Sequence, residues 1–290
     1  MGTRMMLAAT AVAALLSGQQ ATAQSYKFKT LDIPGATQTA LLDNAGGTIL
    51  GWYYDPSGNP TCTLIDNKNK TYTAISDANG VQTYCYAISS AGTVVGYYNT
   101  SDDAAIGFTY SNGAFSDFSL ANIPGALPVA ISTNGIISGY YYDQNNQPWG
   151  FTLKRAKLTT FQIPGAAYIF PDGINSHGEL TLTEIDSSGN NHCLVGMAPN
   201  FTELTDPGAV QTNCVGINNN GQIVGNYLDT TGAYHGFGYE PSTSSFYTID
   251  MPGAADTYLR GITDSKAIVG YYRTTNGGSR QGLKATGSFP

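Results

Sequence analysis

A unit of about 44 residues occurs six times in this chain, and that repetition limits the fold more than any other feature. Aligned on a small-x-apolar-apolar-Gly-aromatic segment, the copies are GTILGWYYD from Gly47, GTVVGYYNT from Gly92, GIISGYYYD from Gly135, GELTLTEID from Gly178, GQIVGNYLD from Gly221 and KAIVGYYRT from Lys266. Their spacings are 45, 43, 43, 43 and 45 residues. A period of this size belongs to propellers and solenoid arrays.

Each copy reads as four strands. An apolar run such as Val129-Ala130-Ile131 comes first, then the glycine-centred strand. A third strand opens at Gly107-Phe108, Gly150-Phe151 or Gly236-Phe237, and a fourth resembles Thr159 to Ile163. Four strands in this length make one propeller blade. Helix pairs are excluded by the period-2 pattern. The fourth strand runs into Pro-Gly-Ala at Pro34, Pro124, Pro164, Pro207 and Pro252, where Pro presets φ and Gly accepts φ > 0 for a turn. The ends are complementary: a lone fourth strand, Tyr26 to Ile33, precedes the first unit, and the last unit stops after a third strand, Gly282 to Ala285. Pairing them predicts an all-β, six-bladed propeller over residues 24–290, a closed ring without exposed sheet edges. The repeating glycines Gly51, Gly96, Gly139, Gly225 and Gly270 are expected to let neighbouring sheets approach closely.

Residues 1–23 combine Arg4, an apolar run from Met5 to Leu16 and Ala21-Thr22-Ala23, the pattern of a secretory signal peptide cleaved near Ala23. The expected product is a secreted monomer, and no later apolar stretch is long enough to cross a membrane. Without Arg4 the chain holds 12 basic and 20 acidic residues, which argues against a nucleic-acid partner.

Cys62 and Cys193 replace the strand-opening glycine of their units, and Cys85 and Cys214 share one register at the start of the next unit. Of the three possible connectivities, only Cys62–Cys85 with Cys193–Cys214 joins neighbouring units in equivalent ways. Export favours these disulfides over free thiols, and the spacing does not suit zinc.

The segments Gly216-Ile217-Asn218, Gly221 to Gly225 and His235-Gly236-Phe237 resemble the HAF-repeat family of extracellular bacterial proteins. The resemblance spans essentially the whole mature chain and implies repeat type and export rather than an activity. The His of that pattern stands only at His192 and His235, with Thr61, Ile106, Trp149 and Gln281 in the other units.

No nucleophile elbow, zinc-protease helix or phosphate loop is present, and no cofactor is expected. Unit four departs most from the repeat. Leu182 replaces the glycine, Glu184 replaces a tyrosine, and Asp172, Glu179, His177 and His192 lie in the same unit. A carboxylate on a strand that its equivalents bury has the raised pKa of a general acid, or else forms a structural ion pair. The first strand of each unit is expected to line the channel through Ala40, Tyr86, Val129, Asp172, Val215 and Arg260. That ring lacks the converging carboxylates of a metal site. Asp172 and Arg260 are nevertheless placed to share a small polar ligand. Tyrosine pairs such as Tyr140-Tyr141 suit stacking on a sugar or packing between blades. The recurring Asp55, Asp143, Asp186 and Asp229 are expected to close Asx-turns.

Three functions follow. The leading one is a non-catalytic module binding a glycan or another extracellular polymer through shallow sites between blades, with Tyr86, Tyr141, Asp172 and Arg260 as candidate contacts. The second is a polysaccharide hydrolase or lyase using Glu184, Glu179, Asp172 and His192. The third is a protein-binding scaffold.

Overall fold

The computed structural model describes residues 26–287; the expected export signal lies outside the described residues. No helix occurs among them, so none is long and apolar enough to cross a membrane. The chain makes six four-stranded antiparallel sheets.

Strand β1 (Lys27–Thr30) leads in. Blade 1 is β2 (Gln38–Ala45), β3 (Thr48–Tyr54), β4 (Pro60–Asp66) and β5 (Tyr72–Ile75). Blade 2 is β6 (Gln82–Ile88), β7 (Val94–Asn99), β8 (Ala105–Ser111) and β9 (Ala114–Asp117). Blade 3 is β10 (Leu127–Ile131), β11 (Ile137–Tyr142), β12 (Pro148–Lys154) and β13 (Lys157–Phe161). Blade 4 is β14 (Ala166–Ile174), β15 (Leu180–Asp186), β16 (Asn191–Met197) and β17 (Asn200–Glu203). Blade 5 is β18 (Gln211–Ile217), β19 (Ile223–Leu228), β20 (Tyr234–Glu240) and β21 (Ser245–Thr248). Blade 6 is β22 (Asp256–Ile262), β23 (Ala267–Arg273) and β24 (Gln281–Thr286), completed by β1 in the order β1-β24-β23-β22.

The ring therefore closes as the termini imply. Lys27 pairs with Thr286 and Thr30 with Leu283, antiparallel throughout. Phe28 packs on the blade 6 core around Leu283 and Ala285. At Pro34-Gly35 and Pro252-Gly253 the glycines have φ of 79°, and the following alanine amides close turns onto Ile33 (3.0 Å) and Met251 (3.0 Å). These turns carry the chain from one blade's outer edge to the next inner strand.

Both disulfides form as expected. Cys62–Cys85 ties β4 to β6, and Cys193–Cys214 ties β16 to β18, with Cα separations of 6.0 and 5.1 Å. The glycines they replace explain the position. A Cβ on Gly107 would meet Pro128 and Ala126 of the next blade, and one on Gly236 would meet Leu259 of the next blade. In blades 1 and 4 a covalent bridge takes this close approach instead.

The repeating central glycine has a different role from the one expected. A Cβ on Gly96, Gly139, Gly225 or Gly270 would strike the carbonyl oxygen of Tyr84, Leu127, Asn213 or Tyr258, each on the inner strand of its own blade. On the first three it would also meet the ring of Phe108, Phe151 or Phe237 in the same blade, all fully buried. The glycine thus makes room within a sheet rather than between sheets. Blade 4 shows the alternative. Leu182 is fully buried in the core, and the inner strand skips from Phe170 to Gly173 opposite it, leaving Pro171 and Asp172 out of the ladder.

Candidate functional site

Every inner strand is bulged at one equivalent place, and β14 carries a second irregularity between Ala166 and Tyr168. The pairing skips Leu42, Tyr86, Val129, Val215 and Arg260 in five blades and passes Asp172 in blade 4. A bulge re-aims the extra residue. All six line one cavity of about 720 Å³ on the ring axis. The expected ring is thus correct at five places and wrong at the first. Ala40 is fully buried, and Leu42 stands in its place, because Asp43 and Asn44 occupy the positions that are Gly/Ala-Ile elsewhere.

Asp172 and Arg260 face the same cavity from blades 4 and 6. Burial raises the Asp172 carboxyl to about 6, while Thr183 and the positive charge of Arg260 act against the shift. The Thr183 amide donates to Asp172 Oδ2 at 3.1 Å, an acceptor at the point where the widened bulge interrupts the ladder. Asp43 also lines the cavity, and burial raises it to about 6 against the amides of Ile88 and Asn44. Those amides donate to it at 2.9 and 2.7 Å, and the first comes from the neighbouring blade.

Rings line the end of the cavity where the inner strands begin. Tyr86 is 39% exposed and stacks on Tyr97 at 5.8 Å. Desolvation of its hydroxyl, with the Tyr97 hydroxyl beside it, drives its pKa well above the usual phenol value. Tyr84 meets Tyr97 across the ladder at 4.8 Å, and Trp52 meets Tyr54 edge-on at 5.0 Å. In blade 6, Tyr258 stacks on Tyr271 at 4.6 Å. The Arg280 guanidinium lies over Trp52 at 4.9 Å and over Tyr271 at 5.2 Å, bridging blades 6 and 1.

At the opposite end the hairpin tips are tied together. The Asn219 side-chain amide donates to Asp264 at 2.8 Å and lies 3.4 Å from Thr133, two blades away. Asn219 Oδ1 accepts the Ser176 amide at 2.8 Å, so blades 3 to 6 share one polar belt.

The proposed acid and base residues do not converge with Asp172. Glu184 is buried on β15, the second strand of blade 4, between Ile169 and His192 in the ladder and outside the channel lining. Burial raises its pKa, and the charge of His192 opposes this. His192 contacts Glu203 at 2.9 Å and Asp186 at 3.5 Å, and these acids raise its pKa despite partial burial. Glu179 accepts from the Asn175 side chain at 2.6 Å and lines a separate groove with Glu203 and Asn219. His177 is exposed. Among the described residues no group of His, Cys, Asp and Glu is arranged to hold a metal.

Tyr141 also stands outside the channel. It stacks on Trp149 at 6.2 Å, whose indole donates to Asp143 at 3.3 Å. In blade 5 a histidine sits at the repeat position of Trp149: His235 stacks on Tyr227 at 5.1 Å and contacts Asp250 at 2.6 Å. Asp143, Asp186 and Asp229 each accept two backbone amides of the following turn, at 2.8 and 2.9 Å, and Asp55 accepts the Asn59 amide at 2.8 Å. They are Asx-turn residues.

Sequence reasoning missed Asp43, Trp52 and Arg280 as channel groups, and Tyr271 as the ring that packs beneath the two arginines. A signal was present for Arg280: three of the chain's five arginines, Arg260, Arg273 and Arg280, fall in the last unit.

No protein-family model and no curated protein matches the chain. Among solved structures, the putative TolB from Agrobacterium tumefaciens is 7% identical, with 87% of this chain and 90% of that chain covered and a TM-score of 0.59. SapL1 lectin in complex with alpha methyl fucoside is 10% identical over 88% and 95%, with a TM-score of 0.56. An Aleuria aurantia lectin in complex with alpha-methyl-L-fucoside is 13% identical over 88% and 93%, with a TM-score of 0.52. At such identities the likeness is one of fold: this chain is a six-bladed propeller of the general form those proteins share.

Proposed function

We propose that this chain is an exported, non-catalytic carbohydrate-binding propeller built from HAF-type repeats, and that it holds a glycan end in its central channel. One observation carries the reading. A single cavity of about 720 Å³ brings the rings of Trp52, Tyr84 and Tyr86 together with Asp172 and Arg260. Ring faces receive the apolar face of a sugar, while a carboxylate and a guanidinium meet its hydroxyls. The cavity lies within the usual size range of small-ligand sites, about 300–1,000 Å³. The fold likeness to two lectins in complex with fucosides supports the same class. The hydrolase reading lacks this support, because Glu184, Glu179 and Asp172 face three different surroundings.

A glycan array followed by calorimetry with the purified chain tests the proposal. Trp52→Ala and Tyr86→Ala should each weaken binding about tenfold, roughly the value of one lost ring contact. Tyr141→Ala should leave it unchanged. An array that retains nothing, or affinity indifferent to both channel variants, would sink the idea.

A further inference from the structure

Two cations in the cavity each hold a buried Nε that finds no hydrogen-bonding partner among the described residues. Arg260 and Arg280 both line it, and both approach the ring of Tyr271, at 5.9 and 5.2 Å from its centroid. Their separation therefore cannot exceed the sum of those distances. The Nε atom of each is buried and bonds to nothing, as does that of Arg273, so what sets the pair apart is the lack of any counter-charge within ion-pair distance. Among the described residues neither guanidinium makes an ion pair, whereas Arg273 on the same blade lies 3.8 Å from Asp256.

Three carboxylates line the same cavity, and each already accepts a hydrogen bond. Asp43 accepts the Ile88 and Asn44 amides, Asp172 accepts the Thr183 amide, and Asp264, at the far end, accepts the amide and side chain of Asn219. Packing against Trp52 and Tyr271 explains how the two arginines are held, but a ring face accepts no N–H in the guanidinium plane. A buried donor without an acceptor is a standing penalty, and a ligand that supplies the acceptor relieves it. The planar fork of a guanidinium matches a carboxylate in two parallel N–H···O bonds.

We infer that the channel selects an acidic sugar, a uronate residue whose carboxylate sits between Arg260 and Arg280 while its ring lies against Trp52 and the adjoining tyrosines. The inference rests on the glycan-binding reading above and names its ligand class. Asp172 and Asp43 then act as acceptors for ring hydroxyls and limit the net charge of the cavity. An uncharged sugar offers the guanidiniums only neutral hydroxyl acceptors, without the charge-assisted fork. It binds more weakly for that reason.

The test compares matched probes on the purified chain: an α-1,4-linked trigalacturonate and its carboxyl-reduced counterpart, measured by calorimetry. The uronate should bind at least about tenfold more tightly than the reduced form, the difference expected for a charge-assisted contact. Arg260→Gln and Arg280→Gln should each lower the uronate's affinity by a larger factor than the reduced sugar's, so that the gap between the two probes closes. Arg280→Lys should recover only part of the loss, since an ammonium lacks the fork. The wild-type comparison needs no variant and survives any folding defect. Equal affinity for the two probes overturns acid selection and leaves the glycan reading standing. Binding of neither overturns both. Equal binding of a short peptide through its C-terminal carboxylate, with no contribution from a sugar ring, overturns the uronate assignment.

Discussion

Asp172 and Arg260 occupy one repeat position two blades apart, and the charge of the arginine reaches the carboxyl across the channel. Because Asp172 is raised to about 6, it is ionised at pH 8 and largely neutral at pH 5. An acidic glycan stays ionised over that range. It should bind severalfold more tightly at pH 5, as the negative charges of Asp172 and Asp43 leave the cavity. Asp172→Asn should remove part of this change and Asp43, also raised to about 6, should account for the rest. Calorimetry at the two pH values reads it, and tighter binding at pH 8 would contradict it.

Stability should depend on pH in the same direction. Asp43, Asp172 and Asp206 are raised to about 6 by burial, so they hold a proton more firmly folded than unfolded. The stability they add is full below 3.8 and is lost as pH rises through about 6. His192, raised by contact with Glu203, and His235, where Asp250 and Asp229 outweigh burial, also lose their contribution as pH rises. Asp186 and Asp229 oppose them. Asn190 lowers the first and the Ala233 amide the second, each to about 2, and their contribution is lost as pH falls from 3.8 through that value. Calorimetric Tm should therefore peak between about pH 4 and 6 and be lower at pH 8. A steady rise from pH 5 to pH 8 is the contrary result.

Each disulfide joins neighbouring blades across 23 or 21 residues of chain. Opening one should cost about 3 kcal/mol on the chain-entropy model, a fall in Tm of roughly 6–10 °C. The bridges lie on opposite sides of the ring, so the losses should add. Serine replacement of each pair, alone and together, provides the measurement.

Gly96 and Leu182 occupy equivalent places, one without a side chain and one filling the core. Gly96→Ala should destabilise by about 2 kcal/mol or more, because its Cβ meets the Tyr84 carbonyl. Leu182→Ala should cost about 2–5 kcal/mol through the cavity it leaves. Urea melts of both variants decide the matter.

Glu184→Gln should not lower Tm at pH 7 and should leave glycan affinity unchanged, since burial disfavours the carboxylate and the channel lies elsewhere. Loss of binding or of any hydrolytic activity in this variant would revive the enzyme reading.

Periodicity made the ring, its closure and the cysteine pairing legible before any coordinates. Strand order and spacing depend on backbone demands that every unit repeats. The channel was less legible, because its members are set by bulges. Where Ala-Ile or Gly-Ile marks the bulge, as after Tyr86 or Arg260, the residue was found; where Asp43-Asn44 replaces that pair, Leu42 was missed. Arg280 lies on the connection before β24, outside the inner strands, and reaches the channel by its length. The departures of unit four suggested catalysis, yet Leu182 and the widened bulge explain one another by packing.

The pairing of β1 with β24 separates partners by nearly the whole chain, Lys27 from Thr286. A segment that emerges first must wait, with its amides unmatched, until the final strand is made. Assembly of this protein is consequently tied to completion: a product truncated before Gln281 carries five finished blades and a sixth with no seam, leaving two open edges able to capture another copy.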